Sequence, residues 1–216
     1  MPTYKHSSGK KFFFVHIPRT GGRFLEQNLE RRNNFTWCDG IMCDRMYSVY
    51  EGVEVAHFHR EYYEKYLDCK GIPHIALVRN PIDRFISSSI YLLRHYGECQ
   101  ELMEDEMMFH SMLENHPFPE SCNWYRPQID YLSEDTHIWR LEDGLGDEFA
   151  SWFSGIVGVD IVLDPNIKYN KFDWESIKLK KTPKLIDNIN RLYRRDYEQL
   201  YPELDPSLQE GEKTKT

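Results

Sequence analysis

At 216 residues, 40% of them hydrophobic, the chain is long enough to bury a full core and fits one α/β domain over 1–204, followed by a polar tail over 205–216. A formal charge of −8 argues against nucleic-acid binding by general phosphate neutralisation, so any polyanion has to be gripped by a local group of cations. The five cysteines form no CxxC pair and signal neither a zinc site nor a complete disulfide framework; with no leader-like stretch and no run of about 18 apolar residues, the sequence reads as a soluble, cytoplasmic protein without a membrane partner.

The first element organises the rest. Phe12-Phe13-Phe14-Val15-His16-Ile17 is an apolar run that stops at Pro18 and opens into Arg19-Thr20-Gly21-Gly22. Arg23 to Leu29 then has helical spacing, with Leu25 and Leu29 four apart, so the unit reads as strand, tight loop, helix. Such a unit aims the free N–H groups and positive dipole end of a helix at the loop, which suits an oxyanion. The bland alternative is an ordinary connection whose glycines only permit the turn.

Residues 31–52 show no sustained period and read as a loop with at most one short helix. Val53 to His59 alternates as a short strand does, and Arg60 to Leu67 follows as a helix. Ile72 to Arg79 is a nearly continuous apolar run ending in an arginine, the pattern of a strand buried on both faces of a parallel sheet. Asn80 is placed to cap the next helix, Pro81 suits its first position, and Asp83 stands where a capping-box acid would. Ile82, Phe85, Ile86, Ile90 and Leu93 mark its apolar face, and Ser87 lies in its second turn.

The stretch 97–135 reads as a largely helical excursion from the sheet, acidic and rich in Met and aromatic residues, with a further helix over 123–132. Thr136 to Leu141 reads as a strand and Asp143 to Val157 as a helix; 164–174 is irregular, and the Lys178-Leu179-Lys180-Lys181 run is a solvated basic face. Thr182 and Pro183 open one last helix reaching Leu200. Alternating strands and helices imply an α/β fold, P-loop-like and doubly wound, with a mainly parallel sheet flanked by helices on both faces. Ligands of such sheets bind beyond the strands' carboxyl ends, where Arg19, His59 and Arg79 all fall.

A P-loop kinase or NTPase needs GxxxxGK followed by Ser or Thr, the hydroxyl going to magnesium. Here Arg23-Phe24 follows the glycines, and Arg79 stands where a metal-holding Asp is expected. His16-Ile17-Pro18-Arg19-Thr20-Gly21-Gly22 instead resembles the 5′-phosphosulfate loop, HIPKTGGTS, of sulfotransferases that use 3′-phosphoadenosine 5′-phosphosulfate (PAPS). Arg79-Asn80-Pro81-Ile82-Asp83-Arg84-Phe85-Ile86-Ser87 resembles their 3′-phosphate motif, RxPxxRxxS, and a weaker likeness runs through 126–132, 138–143 and 193–197. Within that family the chain is most similar to carbohydrate sulfotransferases acting on glycosaminoglycans and related glycans.

The resemblance implies an O-sulfotransferase that needs no metal, uses PAPS as donor, releases adenosine 3′,5′-bisphosphate (PAP), and takes a hydroxyl-bearing acceptor, a glycan for preference. Arg19 would replace the family's lysine beside the leaving group, the backbone of Thr20, Gly21 and Gly22 would cradle the 5′-phosphate, and Arg79 with Ser87 would bind the 3′-phosphate. Ala56-His57-Phe58-His59 resembles the histidine segment of glycan 2-O-sulfotransferases, whose second histidine is the general base; that implies His59, with His57 the rival, since two positions apart on a strand they share a face. Arg19 keeps the charge but not the proton-donor role of lysine, and Arg23-Phe24 replaces a hydroxyl-bearing pair, leaving Arg23 to substitute by charge. These departures motivate the alternative of a PAP(S)-binding protein that has lost transfer. His16 reads as structural, Arg84 as a salt-bridge former, and Gln128, Tyr131 and Arg140 as candidate pocket residues.

Overall fold

The computed structural model describes residues 2–37, 49–96, 123–167 and 182–204. The expected excursion over 97–122, the basic run at 178–181 and the tail over 205–216 lie outside the described residues. Two compact units divide the chain, Met1–Arg79 with Asp130–Phe172 and Asn80–Ile129 with Asp173–Thr216.

The first unit is built on five strands: β1 (Thr3–His6), β2 (Lys11–Val15), β3 (Phe35–Trp37), β6 (His74–Val78) and β7 (Thr136–Arg140), in the order β3-β1-β2-β6-β7. β2, β6 and β7 run parallel, with Val15 opposite Ala76 and Val78 opposite Arg140. The other half of the sheet is antiparallel, because a tight turn over Ser7–Lys10, with Gly9 at φ 91°, folds β1 back on β2, and β3 then pairs with β1. The sheet is therefore mixed rather than mainly parallel. Neither short, polar-flanked outer strand carries the apolar run by which a buried strand announces itself.

Strand alternation splits the core into two faces. Tyr4, Phe12, Phe14, Ile75 and Leu77 pack with Leu25 and Leu29 of α1 (Gly22–Arg32) and with Phe149, Phe153 and Val157 of the helix over Asp147–Val157, α4 below. Each such leucine or phenylalanine stabilises the fold by about 1.5–3 kcal/mol. On the opposite face Phe13 meets Tyr63 of α2 (Arg60–Tyr66), ring centroids 5.1 Å apart, and the Tyr63 hydroxyl donates to the Tyr131 carbonyl at 2.9 Å. Helices thus cover both faces of this sheet, as expected. The end of α1 is clamped by two asparagines: the Asn33 side chain exchanges hydrogen bonds with the Val162 backbone at 2.8 and 2.9 Å, and Asn28 Oδ1 accepts from Asp164 N at 2.7 Å.

Between β3 and α2 the structure departs from the sequence reading. β4 (Val49–Tyr50) and β5 (Val53–Glu54) form a separate two-stranded hairpin around Glu51 and Gly52, both at positive φ, and a 3-10 turn over Val55–His57 ends the extended run. His57 and His59 therefore do not share a strand, and strand alternation does not turn them to one face.

In the second unit, Asn80 Oδ1 accepts from Ile82 N at 3.0 Å and Asp83 N at 3.3 Å, capping α3 (Pro81–Tyr96) as its sequence requires. Thr182 likewise caps α5 (Pro183–Leu192), its hydroxyl accepting from Leu185 N at 3.2 Å. The single last helix expected is two: the chain leaves helical geometry at Tyr193 and resumes as α6 (Arg194–Leu200). The Tyr193 side chain at the break is buried, and its hydroxyl donates to the Tyr125 carbonyl at 2.9 Å. Only a 3-10 turn over Gln128–Tyr131 stands in the stretch read as a helix over 123–132. Among the described residues no helix is long and apolar enough to cross a membrane.

Candidate functional site

The loop between β2 and α1 is tightly wound. Ile17 N donates back to the Val15 carbonyl at 3.1 Å, and the buried Thr20 hydroxyl donates to the Ile17 carbonyl at 2.9 Å. Two residues take left-handed backbone, Gly21 at φ 93°, where glycine bears no penalty, and Arg19 at φ 66°, which costs about 1 kcal/mol for a residue with a side chain. α1 has no side chain bonded at its N-cap and no acid in its first turn; the next acid along the helix, Glu26, is engaged with His16 and Arg23.

Because β2 and β6 are parallel, the residue after β6 arrives beside this loop. Arg79 Nη1 donates to the Arg19 carbonyl at 3.4 Å. Arg140, directly across from Val78, ends β7 at the same edge of the sheet. The two motifs met in the sequence at 16–22 and 79–87 therefore touch at their first arginines, and a third arginine, held only as a candidate pocket residue, joins their edge.

Beneath the loop lies a connected set of side chains. His57 Nδ1 is 3.1 Å from the His16 carbonyl, which can only accept, so the proton is on Nδ1. The two imidazoles meet edge to face, centroids 4.8 Å apart. His16 Nδ1 in turn lies 3.3 Å from Glu26 Oε1, and Glu26 Oε2 lies 3.4 Å from Arg23 Nη1. Gly22 backs onto the same ring, since a Cβ there would come within 2.3 Å of His16 Nε2. That contact, rather than the turn, requires glycine at this position.

The electrostatics follow from burial and charge. Burial pushes the Glu26 carboxyl up, but His16 and Arg23 outweigh it and hold the acid below the usual carboxylate range. His57 is held neutral, well below its ordinary value, by burial first and by the neighbouring His16 second. Burial raises Glu54 to about 7. Its Oε2 stands 3.9 Å from His57 Nε2, a separation that would count as an ion pair if both were charged. Burial disfavours charge on each partner, so the contact is one between neutral groups around pH 6.

His59 occupies the N-cap position of α2 with its ring buried, 4.8 Å from the Tyr62 ring and 3.9 Å from the Glu61 carboxylate. It follows no strand of the five-stranded sheet, contrary to the expected placement at a strand's carboxyl end. The segment is moored to the loop through His57. Arg23 is engaged with Glu26 instead of projecting as a spare cation, and Phe24 donates its N–H to the Gly21 carbonyl at 3.0 Å. Ser87 belongs to the second unit, buried in α3, where its neighbours Ser88 and Ser89 reach the Trp124 carbonyl at 3.0 Å and the Tyr125 hydroxyl at 3.3 Å. Gln128 and Arg84 are also core residues of that unit: Gln128 is bonded to Asp196, and Arg84 lies wholly buried over the Tyr193 ring.

No family model, curated protein or solved structure matches this chain. Its function has to be argued from its own residues.

Sequence reasoning missed Glu26 and Glu54. Glu26 carries a usable signal, being one helical turn beyond Gly22, so that its side chain leans back towards the loop. Glu54 carries none, because its burial depends on the hairpin and 3-10 turn.

Proposed function

We propose that the protein is a PAPS-dependent O-sulfotransferase acting on a hydroxyl-bearing acceptor, a carbohydrate by preference. The observation that carries the reading is the meeting of the two motifs: Arg79, which opens the 3′-phosphate motif, donates to the carbonyl of Arg19 inside the 5′-phosphosulfate loop. Donor phosphates at the loop would face the first amides of α1 and the cations of Arg19 and Arg79. In the transfer, the acceptor oxygen forms a bond to sulfur as the bond from sulfur to the bridging phosphate oxygen breaks. His59 takes the acceptor's proton, and Arg19 offsets the charge growing on the departing bisphosphate. The part given to Ser87 rests on the motif's spacing alone.

Calorimetric titration with adenosine 3′,5′-bisphosphate, beside AMP and ATP–magnesium, tests the reading. Micromolar or tighter binding of the bisphosphate, lost with AMP, is expected; preference for ATP–magnesium, or no binding, would overturn it and return the loop to the kinase or plain-connection alternatives. A second reading, bisphosphate binding without transfer, is favoured by the pairing of Arg23 with Glu26 and by the burial of the His59 ring. It is distinguished by PAPS turnover across an acceptor panel. In the enzyme, His59→Ala abolishes turnover and leaves bisphosphate affinity near wild type.

A further inference from the structure

The His57 ring is bonded to the loop between β2 and α1. Its Nδ1–H meets the carbonyl of His16, the residue that begins the loop, at 3.1 Å across 41 positions of sequence. The same His16 is gripped by its ring: Nδ1 lies against the Glu26 carboxylate at 3.3 Å, and Nε2 lies against the α carbon of Gly22, the first residue of α1. One residue is thereby fixed at its carbonyl by the segment 55–57 and at its imidazole by the helix, with the whole loop suspended between those attachments. We propose that His57 is a positioning residue that holds the loop 16–21, and through His16 and Glu26 the N-terminus of α1, in the shape that receives an anion.

One feature sets this hold apart from ordinary packing. It needs a donor at one atom, because the His16 carbonyl offers only lone pairs; in the neutral ring it therefore selects the Nδ1–H tautomer, the minor one for histidine in water. Burial and the adjacent His16 oppose protonation and keep the ring in that neutral form. In that tautomer the basic nitrogen is Nε2, and it faces Glu54 Oε2 at 3.9 Å. The consequence for donor affinity rests on the sulfotransferase reading above; the hold on the loop does not.

The test begins with the wild-type protein. Long-range proton–nitrogen correlation spectra of the imidazoles should show a proton on His57 Nδ1 at pH 7; a neutral ring protonated at Nε2 instead would overturn the proposal without any variant. Two substitutions then separate the donor from the ring. His57→Asn keeps an N–H close to the place of Nδ1, whereas His57→Phe keeps a ring against His16 and removes the donor. In His57→Phe, the backbone order parameters of Arg19 to Gly22 should fall and their amide resonances move. Its affinity for adenosine 3′,5′-bisphosphate should drop up to about tenfold, the worth of one buried hydrogen bond. His57→Asn should stay within about threefold of wild type. An ordered, unshifted loop in His57→Phe, or equal damage in both variants, would overturn the hold. Should wild type bind no bisphosphate, the sulfotransferase reading falls while loop order still decides the role of His57.

Discussion

Two carboxylates, one in each unit, Asp196 wholly buried and Glu26 partly so, show how the same chemistry serves different ends. Asp196, in the second unit, accepts from Gln128 N at 2.9 Å, Ile129 N at 3.0 Å and the Gln128 side chain at 3.3 Å. Burial pushes its carboxyl up, opposed by the Arg84 charge and by those amides. Glu26, in the first unit, has a side chain 14% exposed and is held low by His16 and Arg23. Asp196 is met largely by amide dipoles of its own unit and closes a piece of core. Glu26 is met by ionisable groups, and its chain of contacts ends at a loop with left-handed backbone and the start of a helix. A buried acid is thus not in itself a mark of a site; where its network ends is what separates the two.

The largest break in this comparison is Asp196→Ala, which strands the Gln128 and Ile129 amides in a dry core. It should lower unfolding free energy by about 3–5 kcal/mol in urea titration. A loss below about 1 kcal/mol would mean that water reaches the site. Next comes Gly22→Ala. The new methyl would displace the His16 ring from 2.3 Å and with it the bond to Glu26, at a cost of about 2–3 kcal/mol as overpacking. Gly21→Ala, whose methyl would meet the movable Leu141 side chain at 3.0 Å, should cost only the left-handed strain of about 1–2 kcal/mol. Equal losses at the two glycines would show that the His16 ring yields freely.

These contrasts also explain which parts of the molecule the sequence declares. Local rules carried the caps at Asn80 and Thr182, the apolar core of β2 and β6, and the loop at 16–22, because each is written in adjacent residues. The outer strands β1 and β3 were not legible, since three- and four-residue strands gain their place from pairing rather than pattern. Val53 to His59 misled because two residues of true strand, Val53 and Glu54, begin an alternation that the 3-10 turn interrupts. Of the site, Arg19 and Arg79 could be placed at one edge from the parallel rule, whereas the His57 bond to His16 could not, being a contact between residues that no local rule relates.

Acidity gives a finer test of the loop's support. Glu54, raised from 4.5 to about 7, contributes stability that is fully present below pH 4.5 and lost as pH rises through about 7. His57, depressed below 6.5, does the reverse, its contribution being complete above pH 6.5 and lost as pH falls towards its folded value. The two trends oppose each other between pH 4.5 and 6.5 and flatten the wild-type profile there. Glu54→Gln, at a side chain 25% exposed, should therefore unmask the rise due to His57 and leave the variant about 1–2 kcal/mol more stable than wild type at pH 8, by urea midpoints. A wild-type-like profile in Glu54→Gln would place the Glu54 charge in water.

The smallest expected effect is the most pointed for the comparison with Asp196. Arg23 has a side chain 38% exposed and pairs with Glu26 at 3.4 Å, so Arg23→Ala should change stability by less than about 0.5 kcal/mol. Its partner Glu26 stays 3.3 Å from His16 Nδ1, so the His16 ring should keep its place and its proton and nitrogen resonances in Arg23→Ala, whereas Glu26→Gln should move them. If Glu26→Gln leaves the His16 resonances unmoved, Glu26 closes a piece of core as Asp196 does, and the ring is held by packing against Gly22 alone.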